Sequence, residues 1–162
     1  CMVYPGQVLF EGTNLSEGRG TTLPFEQFGA PFLDIEAVLA ETEEKIKGAV
    51  LRPVHFEPTS GKWQGQVCRG FHIHVTDREE YNAYLSSLIL LQAIIRRHPE
   101  DFRFNPPPYE YEFERLPMDL ILGSRSLRER LSGPDFYQDL PAECQDGLNE
   151  FKALQERYRL YD

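Results

Sequence analysis

Between Glu11 and Thr22 the chain reads Glu-Gly-Thr-Asn-Leu-Ser-Glu-Gly-Arg-Gly-Thr-Thr, and Pro24-Phe-Glu-Gln-Phe-Gly-Ala-Pro31 follows closely. The run gathers two carboxylates, an amide, an arginine, four small hydroxyls and three glycines. A core has no use for such a segment. A polar pocket does: glycine lets the backbone approach a ligand, and short polar side chains direct hydrogen bonds at it. Glu11 and Glu17 are candidates for the paired carboxylates of glycoside hydrolysis, where one acid protonates the leaving oxygen and the other attacks or stabilises the sugar. The alternative is that Glu11 receives backbone N–H groups of the glycine turn and Glu17 pairs with Arg19. Arg19 is a candidate grip for a carboxylate, since its planar fork donates two parallel hydrogen bonds. The glycine, lysine and hydroxyl spacing of a phosphate-binding P-loop is absent.

A second group lies downstream. His72 and His74 are two apart in a strand-like run, so their side chains share a face. With His55 they are candidates for a zinc site. They serve equally as the polar face of a sheet, or as the lining of a ligand cleft with Asp77 and Arg78 at the strand end. Trp63, Tyr109 and Tyr111 offer flat faces for sugar rings, or ordinary packing. Arg125, Arg128 and Arg130 read as a solvated helix face.

These groups need elements to hold them. Gln7–Phe10 reads as a short strand entering the glycine-rich loop. Asp34 caps a predicted helix over 35–47, with Gly48 beyond its end. Ala49–Phe56 reads as a strand whose Pro53 points to an edge or a bulge. Gln64–Val75 alternates most clearly, with Val67, Phe71, Ile73 and Val75 against Gln66, Cys68, His72 and His74. Thr76-Asp-Arg-Glu79 has the form of a capping box, and a long helix ending near His98 follows as the central core helix. Tyr109–Phe113 alternates like a half-buried strand. Short helices are predicted at Met118–Leu122 and Ser126–Leu131, and a last amphipathic helix over Pro141–Tyr158, with Leu148, Phe151, Leu154 and Tyr158 in register. The pattern predicts an α+β fold: one domain over 1–162, a small mixed β-sheet packed against several helices.

The 162 residues suffice for a sizeable core, and 41% hydrophobic with 27% charged is ordinary for a globular chain. A formal charge of -9 argues against a nucleic-acid partner. No run approaches the ~20 apolar residues of a membrane span. Cys1, Cys68 and Cys144 lack metal-type spacing and read as buried free thiols. The abrupt opening, Cys1-Met-Val-Tyr-Pro-Gly6, predicts a piece cut from a longer chain.

Tyr4-Pro-Gly6, Leu9–Thr22, Pro24-Phe-Glu26 and Gly29-Ala-Pro31 resemble the C-terminal domain of the peptidoglycan β-N-acetylmuramidase (NamZ) family. The likeness continues through Arg52-Pro53, Phe56–Thr59, Lys62, Gly65, Cys68, Gly70 and His72–Arg78, then more weakly through Tyr109-Glu110 and Asp119–Gly123. The resemblance implies a larger Rossmann-like N-terminal domain as intramolecular partner. It implies exo-acting release of N-acetylmuramic acid from non-reducing ends of peptidoglycan fragments, in a cleft shared by both domains. The main catalytic glutamate is expected on the other domain, leaving an isolated C-terminal domain folded but nearly inactive. Glu11, Asn14, Glu17, Arg19, His72, His74, Asp77 and Arg78 are then the substrate-binding wall. The resemblance further implies a secreted or periplasmic bacterial parent and no metal or organic cofactor. The alternative is a non-catalytic cell-wall carbohydrate-binding module.

Overall fold

The central element is α3 (Ala83–Arg97), against which the helices over Tyr4–Gln7 and Ile35–Thr42 pack. Asn82 starts it by accepting the Leu85 N–H on its side-chain oxygen at 2.9 Å. Every residue from Ser86 to Ile94 is buried, so this helix is covered nearly all round. The predicted capping box does not form. Asp77 Oδ1 instead accepts the Glu79 and Glu80 N–H groups, and Asp77 O accepts Tyr81 N–H. That closes an isolated turn, and Asn82, in extended conformation, separates it from the helix. The computed structural model describes residues 1–160. They fall into two compact units, one over 1–132 and one from Gly133 onward.

The chain is α+β. Three strands, β1 (Gln27–Ala30), β2 (Ala49–Phe56) and β3 (Cys68–Val75), are ordered β1-β3-β2. Both pairings are antiparallel, where a mixed sheet was expected; for β2 and β3 the connection between them is too brief for a parallel crossover. Pro53 sits on edge strand β2, where its missing N–H costs no ladder bond. Strand β3 starts at Cys68, not Gln64, since residues 63–66 turn and Val67 is exposed. Gly70 faces Gly29 across the β1–β3 ladder, and a Cβ on Gly70 would meet Phe28 O at 1.8 Å. Phe28 links the sheet to the core, packing edge-on to Phe10 (4.7 Å) and tilted against Phe71 (5.8 Å).

The predicted strand at Gln7–Phe10 is helical: α1 (Tyr4–Gln7) runs into a 3₁₀ turn over Val8–Gly12. Pro5 presets the first turn, and packing on α3 decides the rest. Gly6 lies so close that a Cβ would meet Ala83 O at 1.9 Å, and Gln7 Nε2 donates to Ser87 Oγ at 3.0 Å. Helix α2 (Ile35–Thr42) begins at Asp34 as expected but ends early, with the Thr42 hydroxyl bonded back to Val38 O.

Short helices α4 (Pro117–Leu122) and α5 (Arg125–Arg130) follow. Between α3 and α4, Tyr109–Phe113 is a turn and not a strand. Tyr109 and Glu112 exchange backbone hydrogen bonds at 2.9 and 3.0 Å, and Glu110 takes a φ of 53°. In the second unit the expected single helix is two, α6 (Leu140–Glu143) and α7 (Gln145–Glu156), interrupted at Cys144. Its apolar register is formed yet exposed at Leu148, Phe151, Leu154 and Tyr158. All three cysteines are free, but only Cys68 is buried, and burial pushes its thiol up to about 11. Among the described residues no helix is long and apolar enough to cross a membrane.

Candidate functional site

The loop after α1 has little regular structure, so its shape comes from side chains that reach across the fold. Lys62 is the central one. Its ammonium contacts Phe10 O (2.8 Å), Leu15 O (3.0 Å), Glu17 Oε2 (2.9 Å) and, more loosely, Glu11 O (3.3 Å). Burial pushes the Lys62 pKa down, and the Glu17 carboxylate opposes that. Trp63 beside it donates Nε1–H to Asn14 O at 2.6 Å and packs edge-on to Phe32. Asn14 is a clamp: Nδ2 donates to Asp101 O (2.9 Å) and Oδ1 accepts Arg103 N–H (3.0 Å). Asn105 Nδ2 donates to Glu11 O at 2.9 Å.

On this frame sits an ionic cluster. Arg19 Nη2 donates to Glu11 Oε1, and Arg19 Nε lies 3.2 Å from Glu17 Oε1. Tyr109 OH donates to Glu11 Oε2 at 3.1 Å. The hydrogen bond from Arg19 to Glu11 raises the guanidinium pKa, while burial and then the Glu11 bond raise that of the Tyr109 phenol. Glu17 is 6% exposed and Glu11 16%, whereas Arg19 is 55% exposed. Arg19 lies over the Phe25 ring at 5.0 Å, and Tyr4 packs edge-on to that ring at 4.8 Å. Phe25 itself holds a φ of 64°, a strained conformation for a side chain of its size. Two carboxylates thus aim one guanidinium outward, with Nη1 unpartnered among the described residues. Both carboxylates are engaged by cations and the guanidinium is exposed, so this geometry suits gripping an anionic ligand.

These contacts are distributed along a chain that matches, over residues 2–161, the family described as Exo-beta-N-acetylmuramidase NamZ, C-terminal. The chain belongs to this family. It is 34% identical over 161 residues to the peptidoglycan beta-N-acetylmuramidase NamZ of Bacillus subtilis (strain 168), covering 98% of this chain. It spans 37% of that relative's length. Two crystal structures of DUF1343 family proteins of Bacteroides fragilis NCTC 9343 share the fold. One has a TM-score of 0.80 at 23% identity, the other 0.67 at 22%. Each match covers 99% of this chain, and 42% and 40% of theirs.

Within this NamZ C-terminal domain the second group of candidates forms its own cluster. Arg52 on β2 lies opposite His72, donates Nε–H to His74 Nε2 (3.1 Å), and places Nη2 3.0 Å from His72 Nδ1. The two imidazoles are 4.0 Å apart, and His72 Nε2 lies 3.6 Å from Glu26 Oε2. Burial, then His74 and Arg52, lower the His72 pKa, so its ring stays neutral and accepts. Glu26, His72 and His74 line part of a groove of about 370 Å³. A zinc site does not assemble, because Arg52 takes one ring nitrogen each of His72 and His74, and His55 sits opposite Arg69. No three His, Cys, Asp or Glu group to hold a metal among the described residues.

The structure therefore joins Glu11, Glu17 and Arg19 directly and joins His72 to His74. Phe25 and Glu26, adjacent in the chain, contact one cluster each. Asn14 and Asp77 spend their side chains on the backbone, and among the described residues no hydrogen bond or ion pair ties Asp77 or Arg78 to either cluster. Sequence reasoning missed Lys62, Arg52, Glu26 and Asn105 as partners. Arg52 had a usable signal: a cation on an edge strand that the register of a β2–β3 hairpin sets opposite His72.

Proposed function

We propose that this domain forms one wall of the cleft of an exo-acting peptidoglycan β-N-acetylmuramidase, secreted or periplasmic, with the main catalytic glutamate on a further domain of the longer protein. The observation that carries this reading is the outward guanidinium of Arg19, held between Glu11 and Glu17. N-acetylmuramic acid bears a lactyl ether carboxylate, and that anion complements Arg19. Glu11 and Tyr109 stand beside it to meet sugar hydroxyls, and the groove at Glu26, His72 and His74 lines the same wall farther along. Family membership supports the reaction class. The coverage of just over a third of the relative supports the missing part. Since positioning and charge stabilisation need both walls, this chain alone turns over almost no muramide.

The test is titration of the chain with MurNAc-GlcNAc and with GlcNAc-GlcNAc, followed by NMR, together with a chromogenic muramide assay. The muramyl disaccharide binds more tightly, and Arg19→Ala removes that preference. Equal affinity for both sugars, or an unchanged preference in the variant, overturns the role of Arg19. Robust turnover by the chain alone overturns the division of labour. Muramyl binding that adds nothing to activity when the full-length protein is assayed with Arg19→Ala indicates a cell-wall-binding module instead.

A further inference from the structure

We propose that the turn from Tyr109 to Phe113 is a stacking platform for a neutral pyranose ring beside the Arg19 grip; this rests on the glycan reading above. Tyr111 is 94% exposed and Phe113 72%, the largest exposures of any aromatic side chains in the first unit. Two aromatics standing in water are costly unless something covers them in use.

The exposure is built in. The turn is closed by the paired backbone bonds of Tyr109 and Glu112. The Glu112 carboxylate accepts N–H groups from Glu114 (2.9 Å) and Arg115 (3.3 Å) and the Arg115 guanidinium (2.8 Å). Those bonds hold its pKa down at about 2, so the brace persists across the physiological range. The base of the turn is fixed to the polar loop. Tyr109 OH reaches Glu11, Asn105 N–H reaches Gly12 O, and Phe104 bridges to Thr13. A backbone turn tied down beside the Arg19 grip loses little backbone entropy on binding.

The surroundings select the occupant. Glu110, Glu112 and Glu114 alternate with the aromatics, so the surface repels anions and anionic membranes. A neutral N-acetylhexosamine fits: its C–H face lies on an aromatic ring, and its hydroxyls donate to the flanking carboxylates. Tyr109, two residues before Tyr111, touches Glu11, the carboxylate that holds Arg19, so the sugar adjoining a muramic acid on Arg19 is the one nearest the platform.

The experiment compares the chain with its Tyr111→Ala/Phe113→Ala variant, titrating MurNAc and MurNAc-GlcNAc by NMR. Both side chains are exposed, so the variant keeps the parent's thermal midpoint. The disaccharide loses about tenfold in affinity, the value of one modest stacking contact, and the monosaccharide keeps its affinity. An unchanged disaccharide affinity overturns the platform. So does an equal loss for both sugars. If the parent chain binds neither sugar, the glycan reading itself falls, and the platform with it.

Discussion

Replacing Lys62 by methionine removes the charge that holds the polar loop while keeping most of the stem's bulk. An ammonium has three protons, so the three short contacts, to Phe10 O, Glu17 Oε2 and Leu15 O, carry the effect. Two bonds from a charged donor to carbonyls and one to a carboxylate contribute roughly 1.5 kcal/mol each. Relief of the lysine's own desolvation offsets part of that sum. The net loss is about 3 kcal/mol, or about 9 °C in thermal midpoint for a chain of this size. Glu17 keeps Arg19 as a partner, so the loss stops short of the full cost of an unpaired buried charge. The assay is urea unfolding of the parent, K62M, E17Q and the double variant, which isolates the Lys62–Glu17 term. A K62M loss below about 1 kcal/mol at unchanged m-value refutes the claim that this ammonium organises the loop.

Two further outcomes are expected. Gly70→Ala places a methyl 1.8 Å from Phe28 O and forces β1 off β3, costing about 3 kcal/mol; a midpoint in urea equal to the parent's contradicts the close approach. His98 Nε2 accepts the Asp34 N–H at 3.1 Å, and burial holds its pKa below the ordinary value, as burial does for His72. The unfolded chain therefore binds these protons first, so stability is complete above about pH 6.5 and declines as pH falls below it. Urea midpoints at about pH 7 and pH 5.5 check the sign, and a flat or inverted profile in the parent is the contrary result.

The loop rich in glycine and charge was legible because its composition departs from what a core needs, and α3 because Leu88–Leu91 and Ala93–Ile95, broken only by Gln92, form its longest apolar stretch. The α+β class followed from both. What escaped the sequence was decided at a distance. Gln7–Phe10 has the short apolar run of a strand, yet Gly6 and Gln7 find Ala83 and Ser87 on α3, and that packing makes the segment helical. Tyr109–Phe113 does alternate, but a left-handed Glu110 and the Glu112 carboxylate's bonds to the Glu114 and Arg115 N–H groups turn it back on itself. Within the candidate site, Arg19 with Glu11 and Glu17 was readable because all three lie in one short stretch. Lys62, Asn105 and the bond from Tyr109 to Glu11 were not, since each meets the stretch from 45 to 98 positions away.

Asn14 grips residues 87 and 89 positions downstream. During synthesis the ribosome must therefore release the opening segment long before its clasp exists. Until Arg103 and Asn105 leave the exit tunnel, those first residues have helix-forming and turn-forming tendencies but no fixed outline. The surface offered to a ligand is completed late, by the arrival of a segment far downstream.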